Sequence, residues 1–206
     1  MYVPDTFVVD DEAALHDFMR HYGFAVLMTA PEGRAVASHL PILLDIGNAG
    51  AILQGHMARA NPQWHDFDRI DEALMIFQGP HAYVSPSWYK TSPLVPTWNY
   101  AVVHAYGKPV VMEDPSAVRH HLARQVENQE ADRDEPWKLD DVPDDFIANM
   151  QKGIVAFEMP ITRLEGKFKL SQNRNAVDRE GACQGLSASD DPDARAVAAL
   201  MAAVKA

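Results

Sequence analysis

Hydroxyl, imidazole and guanidinium side chains lie on two neighbouring predicted strands. Ser38 and His39 share one of these strands, and His56, Ala58 and Arg59 end the next one. At the ends of neighbouring strands these side chains would converge with backbone amides. A guanidinium binds phosphate through bidentate, charge-assisted hydrogen bonds. The pattern therefore predicts a phosphate site, and a structural polar cluster at the rim of a barrel is the alternative.

A second group of cations lies near the carboxyl end of the chain. The stretch Arg163–Arg179 holds five basic and two acidic residues, although the whole chain has a formal net charge of -11. Within it, Lys169, Gln172 and Arg174 could complete the phosphate site or its symmetry mate. A solvated basic strand edge is the alternative. A small anionic ligand suits this patch better than duplex DNA, which needs a broad basic face.

The stretch Phe77–Tyr100 combines large rings with prolines. It holds two of the four tryptophans, three of the six tyrosines and four of the fourteen prolines. Proline removes a hydrogen-bond donor from a strand and disrupts a helix interior, so we predict mostly irregular backbone here. Partly polar rings on a rigid surface can hold a planar ligand or a subunit partner. A stiff loop packed by its own aromatic residues is the alternative.

Several common chemical motifs are missing from the sequence. It contains no GxGxxG, GxxxxGK[ST], HExxH or GxSxG pattern, so the usual phosphate-cradling nucleotide motifs are absent. The five histidines between His39 and His104 have no convincing set of carboxylate or thiolate neighbours, and we expect no metal site. His120 and His121 are adjacent on a predicted helix and point to different faces, so we expect surface histidines.

Composition is that of an ordinary globular protein. Of 206 residues, 47% are hydrophobic and 23% are charged, which fits a single domain spanning 1–206. The single cysteine, Cys183, excludes an intrachain disulfide and a CxxC motif. No apolar run approaches the length of a membrane span, and the start lacks the features of a secretory signal. We therefore expect a cytoplasmic protein without a membrane partner.

The first half of the chain is predicted to be mainly strand. A helix capped by Asp10 or Asp11 precedes the strands and ends at Gly23. Short turns, one of them over Asp45–Gly50, join neighbouring strands, which favours antiparallel pairing. The predicted strands are Phe24–Thr29, Val36–Leu44, Ala51–His56, Ala73–Phe77 and a long, kinked strand Asn99–Met112.

Helices are predicted mainly in the second half. Asp114 and Pro115 begin a helical region at about 115–151, in which Phe146, Ile147 and Met150 are expected to face inward. One late strand is predicted over Ile154–Leu164, and a terminal helix over Asp191–Ala206. Because the strands never alternate with long helices, we predict a mainly β (α+β) fold, a small barrel, rather than a doubly wound sheet.

Five long sequence blocks occur in order along the chain: SHLPILLD, GHMARANPQW, FQGPHAYVSPSWY, VPTWNYAVVHAYG and KFKLSQNR. Together with the start, MYVP, they resemble the PaiB family of FMN-binding negative transcriptional regulators. The resemblance extends from Met1 to about Gly185, and five ordered blocks are far more specific than one short pattern. The spacing after Tyr89 departs from the pattern and corresponds to a variable insert of the family.

This resemblance implies a split antiparallel β-barrel of the FMN-binding type, similar to pyridoxamine-phosphate oxidase and flavin reductases, with peripheral helices. It also implies a homodimer with FMN at the subunit interface. The residues expected to contact the FMN phosphate are Ser38, His39, His56, Ala58, Arg59 and Asn61. A further set would approach from near the carboxyl end, in either subunit: Lys169, Gln172 and Arg174. The best candidates to line the substrate side of the flavin are His81, Tyr83, Tyr89 and Trp98, and of these Tyr83 and Trp98 are expected to contact the cofactor.

The family likeness leaves several functions open. A regulatory or sensing role is the first hypothesis, although the net charge and the lack of a helix-turn-helix signature make direct DNA binding doubtful. The alternative is an FMN-dependent oxidoreductase of the reductase or oxidase type, acting on a small-molecule ligand. No side chain stands out as an obligatory acid or base, so the catalytic residues stay unassigned. A barrel that binds haem or another planar ligand through its histidines is a third hypothesis.

Overall fold

Antiparallel strands dominate the fold. The computed structural model describes residues 1–48 and 50–204, and within them nine strands form one sheet in the order β1-β9-β6-β5-β2-β3-β4-β8-β7. The strands are β1 (Val8–Val9), β2 (Phe24–Thr29), β3 (Val36–Gly47), β4 (Gly50–Ala58), β5 (Ala73–Val84), β6 (Thr97–Gly107), β7 (Val110–Val111), β8 (Ile154–Pro160) and β9 (Arg163–Lys169). Registers such as Leu27 opposite Ser38 and His56 opposite Ala156 are antiparallel.

Five α-helices accompany the strands in the described part of the chain. They are α1 (Glu12–His21), α2 (Pro115–Glu130), α3 (Asp144–Gln151), α4 (Ala176–Ser187) and α5 (Pro192–Ala203). The predicted caps are confirmed for α1 and α2, because Asp11 and Asp114 each accept a hydrogen bond from a backbone N–H of the first turn, and Asp191 caps α5 in the same way. None of the helices in residues 1–48 and 50–204 is long and apolar enough to span a membrane.

The chain divides into two units. The first comprises Met1–Tyr22, Phe77–His104 and Glu165–Ala206, and the second comprises Gly23–Ile76 and Ala105–Leu164. In the second unit, the core contains the fully buried side chains of Leu27, Leu53 and Phe157. The sheet faces follow the two-residue alternation of strands.

Helices pack against strand residues within the first unit. On α1, Leu15, Phe18 and Met19 are buried on one face, as their helical spacing predicts. The ring centroid of Phe18 lies 5.0 Å from that of Phe168 on β9. Helices α4 and α5 pack against each other, and Arg179 on α4 donates hydrogen bonds to the carbonyls of Met201 in α5 and of Val204, which follows it.

The aromatic and proline-rich stretch is more regular than predicted. Strand β5 continues through Pro80 to Val84, and β6 begins at Thr97, so irregular backbone is confined to residues 85–96, which include the 3-10 helix Pro86–Trp88. Pairing of β5 with β2 joins Leu74–Ile76 to Val26–Met28. Pro80 lies four residues beyond that pairing, where a missing N–H does not interrupt it.

Other boundaries also differ from the prediction. The late strand Ile154–Leu164 is two strands, β8 and β9, separated at Ile161 and Thr162. Helix α4 was not predicted, and on α3 Phe146 and Met150 are exposed while Ile147 is buried. Ala49 of the predicted turn and the last two residues of the predicted terminal helix lie outside the described residues.

Candidate functional site

Ser38 and Asn61 come together in the second unit. The Asn61 Nδ2 donates to Ser38 Oγ at 2.8 Å, and Asn61 Oδ1 caps the 3-10 helix Pro62–Arg69 by accepting from Gln63 N at 3.0 Å. This hydrogen bond places the Ser38 hydroxyl beside the turn that follows β4. Both side chains are half-buried. The hydrogen bond from Asn61 holds the Ser38 hydroxyl in place.

A buried polar network fixes the same turn. The Gln63 Nε2 donates to Leu27 O at 3.1 Å, to Thr29 Oγ1 at 3.2 Å and to Val36 O at 3.3 Å. Thr29 Oγ1 in turn donates to Asp66 Oδ2 at 2.7 Å. Because these groups are buried, each lost hydrogen bond would leave a costly unsatisfied partner. Gln63 and Asp66 therefore position the candidate residues through the backbone.

Arg59 is held by backbone carbonyls. Its Nε donates to Lys152 O at 2.8 Å and its Nη2 donates to Ile154 O at 2.7 Å, while its own N–H donates to Gly153 O at 2.8 Å. No hydrogen bond of Nη1 is found within residues 1–48 and 50–204, and the side chain is exposed. The guanidinium is thus fixed in direction and keeps donors for an anion.

His39 and Ser38 point to opposite faces of β3, as adjacent strand residues must. His39 is exposed and its ring is stacked on Phe24, with centroids 6.4 Å apart. Ala58, the last residue of β4, is exposed as well. The structure therefore separates the His39 imidazole from the Ser38 hydroxyl, which the sequence had grouped together.

His56 contacts a histidine that was expected on the surface. Its Nδ1 lies 3.1 Å from Nε2 of His121 on α2, and His121 is only 1% exposed. Burial lowers the pKa of His56, and burial together with His56, Arg124 and His120 lowers the pKa of His121 to about 4. Both rings are therefore neutral near pH 7. The surface prediction holds for His120, which is exposed, and is wrong for His121.

An exposed aromatic surface forms in the first unit. Tyr83 on β5 and Trp98 on β6 are 47% and 54% exposed, and their ring centroids lie 6.1 Å apart at 73°. The His81 ring lies 6.1 Å from the same indole at 32°. Exposed rings of this size on strands offer flat apolar area with polar edges. Tyr89, expected beside them, is instead buried.

The three candidates from the KFKLSQNR block take different environments. Lys169 donates to Thr97 Oγ1 at 2.5 Å and to the Trp98 carbonyl, and burial, with Lys167 and Arg174 nearby, lowers its pKa. Gln172 accepts from Leu170 N at 2.7 Å and donates to Phe168 O at 2.5 Å. Lys169 thus anchors the strand that presents Trp98, while Gln172 shapes its own turn.

Arg174 lies over a ring of the irregular segment. Its guanidinium carbon is 5.3 Å from the centroid of Tyr89, within the range of a cation–π contact. Arg174 is half-buried and Tyr89 is buried. Arg174 therefore helps to hold segment 85–96, which the sequence alone did not indicate.

Three residues on one face of helix α4 hold segment 85–96: Asp178, Gly181 and Gly185. The buried Asp178 carboxylate accepts from Lys90 N at 2.7 Å and Thr91 N at 3.0 Å, and also from the Thr91 hydroxyl. These hydrogen bonds, led by that of the hydroxyl, lower the pKa of Asp178 to about 2. One and two turns on, Gly181 and Gly185 leave room for Trp88.

Two clefts adjoin the candidate residues. In the second unit a cleft of about 380 Å³ lies between the start of α2, α3 and β8, with mainly apolar walls and Arg59 on its lining. In the first unit a cleft of about 510 Å³ is lined by His21, Tyr22, His81 and Asp193 among others. Burial, with Asp193 nearby, raises the pKa of Tyr22. Among the described residues, no group of three or more His, Cys, Asp or Glu could hold a metal ion.

Sequence comparison assigns the chain to a family. Residues 1–163 match the family model described as "Putative FMN-binding domain". The chain belongs to this FMN-binding family. It is 35% identical over 201 residues to "Protease synthase and sporulation protein PAI 2" of Bacillus subtilis, covering 98% of this chain and 96% of that protein. A protein of Aspergillus fumigatus is 34% identical over 222 residues, covering 84% of this chain and 85% of the relative. The resemblance inferred from the five sequence blocks is confirmed.

Solved structures of other proteins share the fold of this chain. The flavocytochrome Anf3 from Azotobacter vinelandii superposes with a TM-score of 0.61 at 12% identity, covering 79% of this chain and 69% of that one. The FAD and heme binding protein from Mycobacterium smegmatis gives a TM-score of 0.60 at 14% identity, covering 85% and 79%. The fold is the predicted split antiparallel β-barrel with helices.

FMN is the cofactor that family membership assigns to the chain, and the donors present suit it. A phosphate dianion needs cationic and N–H donors with fixed directions, and Arg59 and His56 have ring or guanidinium nitrogens without hydrogen bonds among the described residues. A flat isoalloxazine needs rings on a rigid surface, and Tyr83 and Trp98 supply one.

Proposed function

We propose that this protein is an FMN-binding homodimer with a regulatory role in transcription, acting without strong direct binding to DNA. The observation that carries the proposal is the match of residues 1–163 to the FMN-binding family. The regulatory part is supported by the 35% identity to a Bacillus subtilis protein named for protease synthesis and sporulation. The homodimer follows from the family resemblance, with FMN at the subunit interface.

The proposed phosphate contacts use the directed donors of the second unit. Arg59 supplies Nη1 and His56 supplies Nε2, whereas the Ser38 hydroxyl, steadied by Asn61, lies on the other face of the sheet from His56 and would contact another part of the ligand. His39, which faces away from Ser38, and the backbone at Ala58 belong with His56 in this set. Lys169, Gln172 and Arg174 and the rings of Tyr83 and Trp98 all lie in the first unit, and their expected contacts with FMN stay predictions.

Charge argues against a role as a duplex-binding repressor. The chain carries a formal net charge of -11, and neutralising phosphates requires a basic face that offsets repulsion from the rest of the surface. A regulatory effect would then depend on the flavin or on another protein. Specific binding of purified protein to duplex DNA at near-physiological salt would contradict this part of the proposal.

A single experiment tests flavin binding and assembly together. Flavin-free protein is mixed with FMN and separated by size exclusion, with visible absorbance and light scattering recorded on the same peak. We expect flavin absorbance at twice the chain mass of 22.9 kDa. Riboflavin, which lacks the phosphate, should bind more weakly. Protein that elutes without flavin, or a peak with a haem spectrum after growth with haem, would contradict the proposal.

Replacing Arg59 by alanine is expected to weaken FMN binding by about 2 kcal/mol, or about 30-fold in Kd, the scale of a lost charged hydrogen bond. The cause is loss of the directed guanidinium and of its backbone anchors at Lys152 and Ile154. Fluorescence titration of FMN gives the affinity. Arg133→Ala, which removes an exposed guanidinium paired with Glu130 at 3.0 Å, is the matched control. Equal affinities for the two variants would remove Arg59 from the site.

Replacing Trp98 by alanine is expected to weaken FMN binding by about 1 kcal/mol or to destabilise the dimer, because the exposed indole supplies flat contact area. Sizing and FMN titration of one sample report both effects. Trp137→Ala, at a similarly exposed tryptophan in the second unit, should leave both unchanged. A dimeric Trp98→Ala protein with wild-type affinity would show that the ring only packs its own surface.

An FMN-dependent oxidoreductase is the second candidate function. The observation that favours it is the cleft of about 510 Å³ in the first unit, which His81 shares with the aromatic surface and which also presents Tyr22 and Asp193. Bound FMN would supply the hydride chemistry, and the protein would bind and orient a small molecule. Steady NAD(P)H consumption by FMN-loaded protein favours this candidate, and no consumption with any acceptor tried favours the regulatory one.

A further inference from the structure

The histidine pair joins α2 to β4 through one hydrogen bond. His56 Nδ1 and His121 Nε2 lie 3.1 Å apart, with ring centroids 5.4 Å apart at 73°. A neutral imidazole carries one N–H donor and one bare acceptor nitrogen. Two arrangements can make this bond: the proton lies either on His121 Nε2 or on His56 Nδ1.

The second ring nitrogen of His121, Nδ1, distinguishes the two arrangements. His121 Nδ1 is buried and has no hydrogen-bond partner within residues 1–48 and 50–204. If His56 Nδ1 were the donor, His121 would carry its own proton on Nδ1, as a buried and unpaired N–H. If His121 Nε2 is the donor, Nδ1 is an unpaired acceptor. Orphaned buried N–H groups are rarer than under-satisfied acceptors, which favours His121 Nε2 as the donor.

This assignment also determines which ring nitrogen of His56 carries its proton. With Nδ1 of His56 accepting, the proton of the neutral ring lies on Nε2. That atom makes no hydrogen bond in the described part of the chain and is not among its buried, unpartnered atoms. A bare Nε2 would repel an anion, whereas a protonated Nε2 donates to it. The tautomer of His56 therefore decides whether this residue can bind a phosphate oxygen.

We propose that His121 is a positioning residue, which holds His56 in the tautomer protonated on Nε2 so that His56 donates a hydrogen bond to the phosphate of FMN. The inference rests on the proposed function for the identity of the anion. His121 itself does not touch the ligand. Of the two adjacent histidines on α2, only His121 is buried and contacts His56, while His120 is exposed.

The tautomer is tested first without FMN. Long-range proton–nitrogen correlation spectra of ¹⁵N-histidine-labelled protein at pH 7.5 distinguish Nε2–H from Nδ1–H rings, and His56→Gln and His121→Gln variants assign the two signals. We expect Nε2–H in both rings. A proton on Nδ1 of either ring would overturn the inference, whether or not the protein binds flavin.

The ligand test compares FMN with riboflavin. His121→Met fills the site but removes the donor, and we expect its Kd for FMN to rise about tenfold while its Kd for riboflavin stays the same. A purely structural role would weaken both ligands equally, and that result would overturn the inference. His121→Gln, which keeps an N–H at a similar distance from the backbone, should retain most of the FMN affinity.

Two controls separate this inference from the proposed function. His120→Met makes the same change at the exposed neighbour and should alter neither affinity. If wild-type protein binds no FMN, the proposed function fails, and the FMN-free spectra alone decide the role of His121. If wild-type protein binds FMN and a folded His121→Met protein binds it equally well, the inference fails and the proposed function stands. If His121→Met does not fold, the His121→Gln affinities and the spectra give the result.

Discussion

Replacement of Gly181 by valine is expected to lower the free energy of unfolding by about 3 kcal/mol, near the upper end of overpacking costs. A Cβ at this position would lie 2.2 Å from the Trp88 carbonyl oxygen and 3.3 Å from its carbon. The contact is with backbone, so no side-chain rotation can relieve it. Segment 85–96 would have to leave α4, which also strains the hydrogen bonds of Asp178 to Lys90 and Thr91.

Two measurements report this change. Urea unfolding followed by circular dichroism gives the free energy, and the rate of tryptic cleavage after Lys90 reports release of the segment. Ala176→Val, at an exposed position of the same helix, is the control for introducing a β-branched side chain into α4 and should cost only a few tenths of a kcal/mol. If the two valine variants unfold alike and are cleaved alike, α4 does not hold the segment.

Acidification from pH 6.5 to pH 4 is expected to remove about 3 kcal/mol of stability through His121. Its pKa is about 4 in the folded protein against an ordinary value of 6.5, and each pKa unit corresponds to about 1.4 kcal/mol. Between these values the unfolded chain binds a proton that the folded chain does not. Stability therefore falls as the pH decreases through this window. Burial lowers the pKa of His56 and of His104 too, which adds to the loss.

The slope of stability against pH identifies the residue. His121→Gln should flatten the unfolding free energy between pH 6.5 and pH 4, whereas His120→Gln should keep the wild-type slope because His120 is exposed. Urea titrations at half-unit pH steps measure both. A His121→Gln protein with the wild-type slope would show that other groups govern the transition. Asp178, with a pKa of about 2, keeps its full contribution to stability above about pH 4 and loses it only as the pH falls from about 4 to about 2.

Local signals in the sequence were enough to predict most helices and strands. Caps such as Asp11 and Asp114 act through the adjacent backbone, so their effect is visible in the sequence alone. Helix α4 was missed because Gly181 and Gly185 lower its intrinsic propensity. Its formation depends on contacts with Trp88, almost a hundred residues earlier. Such long-range compensation cannot be read from a local pattern.

The sequence indicated which residues could form the candidate site but not where their side chains point. The ordered blocks put Ser38 and Asn61 in one expected site, and the two side chains are hydrogen-bonded to each other. They did not reveal that His39 faces away from Ser38, or that His56 meets His121, 65 positions further along. Burial of one of two adjacent histidines depends on the rotation of α2 against the sheet, which no local spacing determines. The roles of Gln63 and Asp66 were hidden for the same reason.

The close approach of α4 to Trp88 has a consequence for protein engineering. The match to the FMN-binding family ends at residue 163, so α4 lies beyond it, while the segment that α4 holds lies inside it. A chimaera that took residues 164–204 from a relative would inherit a helix shaped for another loop. Residues 85–96 and α4 would have to be transplanted together, as one cassette, for the recipient to keep its own aromatic surface in place.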